Sequence, residues 1–290
     1  MATRRDPITW FDALNVVLLT MVAAACVIPM IHVTALSFSS EGAILSGRVS
    51  LLPVGFQLQG YRTVLESAAM MRALGFTVYL TILGTSVNVM ITALGAYPLA
   101  KPDLVGRRLI WLLILFTMFF SGGLIPIFMV VRALGLLDTV WALILPGMIA
   151  TFNLILMKTY FSGIPTSLAE SARMDGASEI GILMRIILPL STPIIATLTL
   201  FYGVGHWNQF FLALIYIQDP DKYTLQLRLQ QLITDGIGYG PTVVFGQADD
   251  IPVESVKAGA IMFATAPVLI AFPFLQRHFV KGALIGSLKE

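Results

Sequence analysis

Residues 73–100 read ALGFTVYLTILGTSVNVMITALGAYPLA and contain no Asp, Glu, Lys or Arg. An α-helix rises about 1.5 Å per residue, so roughly 20 apolar residues are enough to cross the hydrocarbon core of a membrane. The stretch is continuously apolar and lacks the alternation expected for a strand of a transmembrane barrel. It therefore predicts a membrane-spanning helix.

Five further runs of the chain share this property, and the overall composition agrees with them. Of the 290 residues, 57% are hydrophobic and only 12% are charged, whereas an ordinary soluble domain carries about 25% charged residues. The mean hydropathy is +0.85. The sequence predicts an all-α polytopic membrane protein, a single transmembrane domain over 1–290 with six transmembrane helices. These spans are about 13–38, 73–97, 109–131, 139–157, 190–217 and 258–276.

Charge and cysteine content exclude other classes of protein. A net charge of +2 is too small to indicate a nucleic acid or another polyanion as partner. The single cysteine, Cys26, cannot form an intrachain disulfide. Arg4 and Arg5 precede an apolar run, as in a signal peptide, but this run continues to Phe38 and is too long for a signal core. The first run is therefore expected to be a retained span.

The distribution of Lys and Arg predicts the orientation. With a cytoplasmic N-terminus, 11 of the 18 basic residues fall on the inner side, where such residues are enriched. We therefore expect both termini in the cytoplasm of a bacterial inner membrane protein. Three connecting segments are longer than reversing a helical hairpin requires: the cytoplasmic loop 158–189 and the external loops 41–72 and 218–257.

The predicted membrane interior lacks the groups that couple transport to an ion gradient. Ion-coupled carriers usually place ionisable residues near the middle of the membrane, and the six spans contain none of the four charged residue types. His32 and His206 are expected to be hydrogen-bonding groups, and Asn88 is expected to bond between helices. If the chain moves a solute uphill, the energy is expected to come from another protein.

Enzymatic chemistry has no support in the sequence. There is no G-x-x-x-x-G-K-[ST] loop that could hold ATP, and no His, Cys and carboxylate cluster with metal-ligand spacing. Ser121-Gly122-Gly123 lies inside a predicted span and is interpreted as a helix-weakening or close-packing site. No catalytic residue and no metal ligand is predicted.

The cytoplasmic loop carries the most specific pattern of the chain. Ser167 and Glu170 have the spacing of a capping box that opens a short helix. Gly176 is predicted to end this helix in a left-handed corner, and Ser178 to cap a second helix that runs to Pro189. A helix lying on lipid is an alternative, but such helices favour basic residues and large apolar faces. This short helix of mixed charge is better suited to a protein groove.

The loop resembles the EAA loop of ABC-importer permeases, whose pattern is Glu-Ala-Ala, three residues, Gly, nine residues and Ile-x-Leu-Pro. Glu170, Gly176 and 186–189 stand at that spacing, and Ser171 replaces the first Ala. Three further stretches resemble the carbohydrate-uptake branch of this family: HWNQFF at 206–211, YTLQL at 223–227 and QRHFVKG at 276–282. The resemblance covers 73–290 and implies the type I ABC-importer permease fold.

The resemblance also implies roles for the loop residues. In this family the EAA loop is a coupling helix that docks on a separate cytoplasmic ATPase. Glu170 is expected to pair with a basic residue of the ATPase, and Gly176 to form the corner. Ala172 and Ala177 are expected to allow close approach. ATP and Mg²⁺ are expected in the partner ATPase subunits, with no cofactor in this chain. The complete coupling set is Glu170, Ala172, Arg173, Asp175, Gly176 and Ala177.

The family assembles two permease chains, an ATPase dimer and an external solute-binding protein. The resemblance therefore implies a homologous sister permease, a carbohydrate path between the two permeases, and contact of 41–72 and 218–257 with the binding protein. The fifth span and the tail resemble permeases for larger oligosaccharides, including uronate-containing ones.

The fifth span also supplies candidates for the substrate path. Aromatic faces stack on sugar rings, and side-chain amides hydrogen-bond to their hydroxyls. The same residue types fit an aromatic belt at the outer interface with ordinary helix packing, and this interpretation stays open. The candidates are Tyr202, Trp207, Asn208, Gln209 and Phe211.

Two other functions compete with an importer subunit. A stand-alone secondary transporter of a small polar solute is disfavoured by the absence of charged residues from the spans. A membrane-bound scaffold or enzyme is disfavoured because the loops contain no catalytic cluster. Uptake that a proton ionophore abolishes while ATP stays high would favour the secondary transporter, and loss of growth on one glycan alone after deletion would argue against the scaffold.

Overall fold

The computed structural model describes residues 9–235 and 254–287. Every regular element within these ranges is helical, which confirms the predicted all-α class. Helix α1 (Trp10–Ser37) begins with a capping box between Thr9 and Asp12. The Asp12 carboxylate accepts the Thr9 amide at 2.8 Å, and the Thr9 hydroxyl accepts the Asp12 amide at 3.3 Å.

The chain divides into two compact units, the first comprising Met1–Ala68 and Leu229–Ala266. In this unit α1 is followed by α2 (Glu41–Leu45) and α3 (Gln59–Glu66). A Cβ atom on Gly60 would lie 2.5 Å from the carbonyl oxygen of Ser255, so only glycine permits this approach of α3 to the start of the last helix. The Ser37 and Tyr61 hydroxyls are 2.8 Å apart and join α1 to α3.

The second unit comprises Ala69–Arg228 and Pro267–Glu290. Its longest element is α4 (Ala68–Ala100), whose 33 residues span about 50 Å. The other helices of this unit, in chain order, are α5 (Arg107–Phe119), α6 (Leu124–Ala133), α7 (Val140–Ile144), α8 (Thr151–Ser162), α9 (Thr166–Met174), α10 (Glu179–Ile182), α11 (Leu188–Leu190), α12 (Thr192–Trp207) and α13 (Phe211–Tyr216). Helices α14 (Leu225–Asp235) and α15 (Glu254–Ser287) are each divided between the two units.

Two apolar clusters hold the second unit together. One joins α4, α8, α10 and α12, with Leu198 and Met157 fully buried in it. The other joins α4, α7 and α13, with Leu80 and Ala213 fully buried. Helix α5 has no buried residue. Its apolar surface is available to lipid or to another protein chain.

Two of the predicted spans are bent, and a third bend lies where the 158–189 loop meets the fifth span. Helices α5 and α6 meet at 112°, α7 and α8 at 59°, and the helix Glu179–Leu190 meets α12 at 85°. The first bend falls at Ser121-Gly122-Gly123, where Gly123 has a φ of +82°, in agreement with its interpretation as a helix-weakening site. The last bend falls at Ser191, two residues after Pro189 and two before Pro193. Proline interrupts the regular hydrogen bonds of a helix, and this accounts for the break.

Helices cover all six predicted spans, but the number of membrane crossings stays a prediction. By length and hydropathy, two helices of the described residues are able to cross a membrane, or five if each bent pair is one span. Both α1 and α4 exceed their predicted spans of 13–38 and 73–97 at the N-terminal end. The sixth predicted span, 258–276, lies within α15.

Candidate functional site

The predicted coupling loop, residues 158–189, contains two helices, α9 and α10, that are joined by a left-handed corner at Gly176. Gly176 has a φ of +78°, and no atom lies within 4 Å of the position that its Cβ would take. The Gly176 amide donates to the Arg173 carbonyl at 3.0 Å, and the Ala177 amide donates to the Ala172 carbonyl at 2.9 Å. These two bonds form a Schellman motif, in which glycine is the favoured left-handed residue. The corner was predicted from the sequence.

The two helix starts in the loop differ from each other. The Ser178 hydroxyl accepts the Gly181 amide at 3.2 Å, so the predicted cap of the second helix is present. The capping box predicted at Ser167 and Glu170 is wrong, because the N-cap of α9 is Pro165, two residues before Ser167, and the helix already begins at Thr166. Pro165 supplies the fixed φ that precedes the helix, and no side-chain cap bond is formed.

One side of the coupling loop is exposed, and the other packs on the bundle. Ala172 and Ala169 contact the apolar cluster of α4, α8 and α12. Large apolar side chains point away from it: Met174 is 89% exposed and Ile180 is 70% exposed. The predicted coupling residues that are also exposed are Glu170, Arg173, Asp175, Gly176 and Ala177. The corner thus combines apolar contact area with charges of both signs, as protein interfaces do.

An ion cluster that the sequence did not predict fixes the loop to α4. We define the Glu179 cluster as Tyr97, Lys101, Arg173 and Glu179. The Glu179 carboxylate accepts from Tyr97 Oη at 2.7 Å, from Lys101 Nζ at 2.6 Å and from Arg173 Nε at 2.7 Å. The hydrogen bond from Arg173, followed by those from Lys101 and Tyr97, lowers the pKa of Glu179 to about 2. Glu179 is therefore ionised at any physiological pH.

A cleft lies beside the corner on the side of the second helix. It has a volume of about 600 Å³, and its lining includes Gly176, Ser178, Ile180 and Arg185. Because the lining mixes backbone, apolar and basic groups, the cleft suits a protein side chain better than a lipid tail.

The predicted hydrogen-bonding residues of the spans form a buried network between α4 and α12. Asn88 Nδ2 lies 3.1 Å from His206 Nε2, and His206 Nδ1 lies 3.1 Å from Gln209 Oε1. Gln209 Nε2 then donates to the Leu143 carbonyl at 2.8 Å. A Cβ on Gly84 would lie 2.6 Å from His206 Nε2, so glycine is needed for this close approach. The expected roles of Asn88 and His206 as hydrogen-bonding groups are confirmed.

Two of the five candidate path residues, Tyr202 and Gln209, bond to neighbouring helices. Tyr202 is buried, and its hydroxyl lies 2.8 Å from the Thr92 hydroxyl and accepts the Ala150 amide at 3.1 Å. Gln209 belongs to the network described above. These contacts give both residues a part in helix packing.

The other three candidates differ in exposure, and Trp207 is buried, with 7% of its surface exposed. Trp207 lines a cavity of about 430 Å³ that is bordered by α4, by α12 and by Pro267 and Val268 of α15. Asn208 is exposed, and its Oδ1 accepts from Gln226 Nε2 at 3.4 Å. Phe211 is 53% exposed.

Hydroxyl groups that sequence reasoning did not select also line the Trp207 cavity. Thr81, Thr85, Ser86 and Thr199 contribute to its wall. The hydroxyls of Thr81 and Thr85 are buried and have no hydrogen-bond partner among the described residues. Thr81 and Thr85 are four residues apart and therefore share one face of α4, with Ser86 beside Thr85. This spacing of hydroxyl residues can be read from the sequence.

At the end of the bundle opposite the coupling loop, a charged cluster ties the 218–257 segment to the helices. Lys222 Nζ lies 3.3 Å from the Asp138 carboxylate and 3.4 Å from that of Asp219. Burial acts to raise the pKa of Asp138, but hydrogen bonds from the Asp219 and Gln218 amides and from Lys222 outweigh it and lower the pKa. Residues 236–253 of the predicted external loop, and the side chains of the 276–282 stretch, lie outside the described residues.

The features of the described residues are typical of one class of protein. Within the described residues, no group of His, Cys, Asp and Glu could hold a metal ion. The features present are apolar helices, a buried polar network and an exposed corner at Gly176 with apolar and charged groups beside it. Together they are typical of a membrane transport subunit.

Comparison with known proteins defines the family. The chain belongs to the family of binding-protein-dependent transport system inner membrane components, whose model matches residues 89–284. It is 44% identical over 280 residues to the polygalacturonan/rhamnogalacturonan transport system permease protein YtcP of Bacillus subtilis, covering 96% of this chain and 98% of YtcP. It is 27% identical over 295 residues to the arabinooligosaccharides transport system permease protein AraQ of Halalkalibacterium halodurans, with both chains fully covered.

Solved structures agree with this assignment. The fold matches a chain of a bacterial ABC transporter involved in the import of the acidic polysaccharide alginate, with a TM-score of 0.85 and 34% identity. The match covers 96% of this chain and 99% of that chain. The predicted permease fold is confirmed, and the chain is a component of the inner membrane.

Proposed function

We propose that this chain is one permease half of an ATP-driven, binding-protein-dependent importer of oligosaccharides that contain uronic acid. The observation that carries the proposal is the Gly176 corner with its exposed contact groups, which resembles the EAA loop in sequence. The other half of the transport path belongs to a homologous sister permease, and ATP and Mg²⁺ are bound by two ATPase subunits.

The coupling loop docks on the ATPase through its exposed side. Met174 and Ile180 enter an apolar part of the ATPase cleft, while Glu170 pairs with a basic residue at its edge. This assignment is supported by the exposure of both apolar side chains beside charged residues of the loop. Docking on a cytoplasmic ATPase requires that the loop faces the cytoplasm, and both termini lie on the same side. The enrichment of basic residues on that side agrees with this orientation.

The substrate moves along the surface that holds Trp207, Asn208 and Phe211. Trp207 offers an aromatic face beside hydroxyls without an internal partner, and a sugar ring can satisfy both kinds of group. Tyr202 and Gln209 position α12 through their bonds to neighbouring helices, so they shape this surface from behind. The external loops 41–72 and 218–257 receive the solute-binding protein.

The preference for uronate-containing glycans rests on two relatives with different substrates of one chemical type. YtcP is named for polygalacturonan and rhamnogalacturonan, and the structural relative is described as an importer of alginate. Both kinds of polymer carry carboxylates. Because the spans of this chain contain no Lys or Arg, a cation that recognises the carboxylate belongs to the sister permease or to the binding protein.

The test is reconstitution of the chain with its sister permease, ATPases and binding protein in liposomes. We expect ATP hydrolysis to rise with binding protein loaded with oligogalacturonate, and labelled sugar to accumulate. Neutral oligosaccharides of the same length serve as the control for the substrate class. Accumulation without the ATPases, driven by an ion gradient, would instead establish a secondary transporter.

A further inference from the structure

The Glu179 cluster joins three elements that are far apart in sequence. Tyr97 and Lys101 belong to the cytoplasmic end of α4 and the residues just beyond it, Arg173 to the last turn of α9, and Glu179 to the first turn of α10. Lys101 also lies over the Tyr97 ring, 4.6 Å from its centroid. The Glu179 carboxylate therefore accepts hydrogen bonds both from α9 and from the end of α4.

Capping alone does not explain Glu179. The N-cap of the second helix is Ser178, which already accepts the Gly181 amide. A negative charge in the first turn of a helix is favourable in itself, but this effect requires neither of the bonds to α4. The side chain of Glu179 is 48% exposed, and an isolated ion pair at such a site adds little to stability. Three donors on one carboxylate are more than helix formation needs.

Helix α4 also forms ion pairs or hydrogen bonds at its outer end and in its middle. At its outer end, Arg72 lies 3.0 Å from the Asp221 carboxylate, and the Thr77 hydroxyl accepts the Leu225 amide at 2.8 Å. In its middle, Asn88 and Thr92 bond to α12. A shift of its cytoplasmic end is therefore transmitted to the outer segment and to the helix that carries Trp207.

We propose that Glu179 is a positioning residue that locks the coupling helix α9 to α4, so that displacement of the coupling helix moves α4 directly. This inference rests on the proposed function. It adds a second route to the covalent route from α10 through the bend at Ser191 into α12. Because the covalent route is bent by 85°, a displacement of α10 can be absorbed by further bending at Ser191. The Glu179 cluster connects the loop to α4 without passing through this bend.

The test compares Glu179→Gln with Asp103→Asn in the reconstituted transporter. Glutamine keeps the size of the side chain and removes its charge. Asp103 is an exposed neighbour that acts on Arg173 through its charge, so Asp103→Asn removes a negative charge from the same region without breaking the cluster. The measured quantity is the number of ATP molecules hydrolysed per sugar imported.

We expect Glu179→Gln to raise this ratio by between about twofold and thirtyfold, the range typical of residues that carry coupling between sites. Recovery of ATPase in a pull-down is expected to stay unchanged, as is the ratio in Asp103→Asn. An unchanged ratio in Glu179→Gln, or an equal rise in both variants, overturns the proposal. Loss of ATPase recovery also overturns it, because Glu179 would then act in docking.

A second set of variants tests the α4 side of the cluster. Tyr97→Phe combined with Lys101→Met removes both donors of α4 and leaves the bond between Arg173 and Glu179 intact. We expect the same rise in the ratio, and no further rise when Glu179→Gln is added. Additive effects contradict a shared connection. The wild-type complex in the same assay reports on the proposed function itself, because a wild type that neither imports sugar nor hydrolyses ATP would refute that function independently of Glu179.

Discussion

Replacing Gly176 isolates the contribution of the corner, because the site is sterically open. With a φ of +78° and no atom within 4 Å of the position that a Cβ would take, a side chain at residue 176 meets no clash. The cost is confined to the backbone. A left-handed conformation costs a non-glycine residue about 1–2 kcal/mol, and a β-branched residue such as valine lies at the upper end of that range.

From these values, Gly176→Val disfavours the observed corner by about 2 kcal/mol, which is roughly a thirtyfold shift in its population. Gly176→Asn is expected to cost less, since asparagine tolerates the left-handed region. Gly147→Ala is the matched control, because Gly147 has equal space and no positive φ. The expected order of sugar import is wild type and Gly147→Ala first, Gly176→Asn next and Gly176→Val last.

The assay measures import, ATP hydrolysis and ATPase recovery for each variant at equal amounts of inserted protein. Valine is expected to reduce recovery of the ATPase or to raise the ATP hydrolysed per sugar, with membrane insertion unaffected. Wild-type import by Gly176→Val would refute the reasoning, and so would an equal loss in valine and asparagine variants.

Three further predictions concern the helices and the Glu179 cluster. Trp207→Ala is expected to reduce sugar import more than it reduces ATPase recovery, whereas Trp207→Phe keeps an aromatic face and most of the import; equal import in all three proteins would favour the aromatic-belt interpretation. Gly84→Ala places a Cβ only 2.6 Å from His206 Nε2 and is expected to lower the free energy of unfolding by about 1–3 kcal/mol, measured in a thermal melt. Gly75→Ala on the same helix has open space and should leave the stability unchanged. The pKa of Glu179 is depressed from 4.5 to about 2, so its contribution to stability is complete above about pH 4.5 and is lost as the pH falls towards 2. The difference in Tm between wild type and Glu179→Gln should therefore be constant from pH 8 to pH 5 and shrink below that; a change between pH 6 and pH 8 would contradict the assignment.

The sequence predicted those features that depend on neighbouring residues. Gly176 and Ser178 lie within a few residues of the helix ends they define, so their roles were recognised from spacing alone. The capping box at Ser167 was wrong because Pro165, two residues earlier, determines where α9 begins. Pro165 and the pair Ser167 and Glu170 are both local signals for the start of a helix, and only the structure shows which of them applies.

The features that the sequence did not predict depend on contacts between distant residues. Lys101 and Glu179 are separated by several helices and loops in the chain, and nothing in either local sequence pairs them. Tyr202 and Gln209 were selected for their chemistry, but the structure gives their polar atoms partners on neighbouring helices. The directions of the bends within the charge-free runs were likewise not predicted, since hydropathy counts residues and does not report direction.

The most direct test of the central claim uses the purified chain in sealed liposomes with a radiolabelled oligogalacturonate. Supplied with ATP, or with a proton or sodium gradient, the chain alone is expected to produce no accumulation above equilibrium. Accumulation should begin only when the sister permease, the ATPases and the loaded binding protein are all present. Concentration of the sugar by the chain alone would contradict the account, because the energy would then enter by a route other than the corner at Gly176.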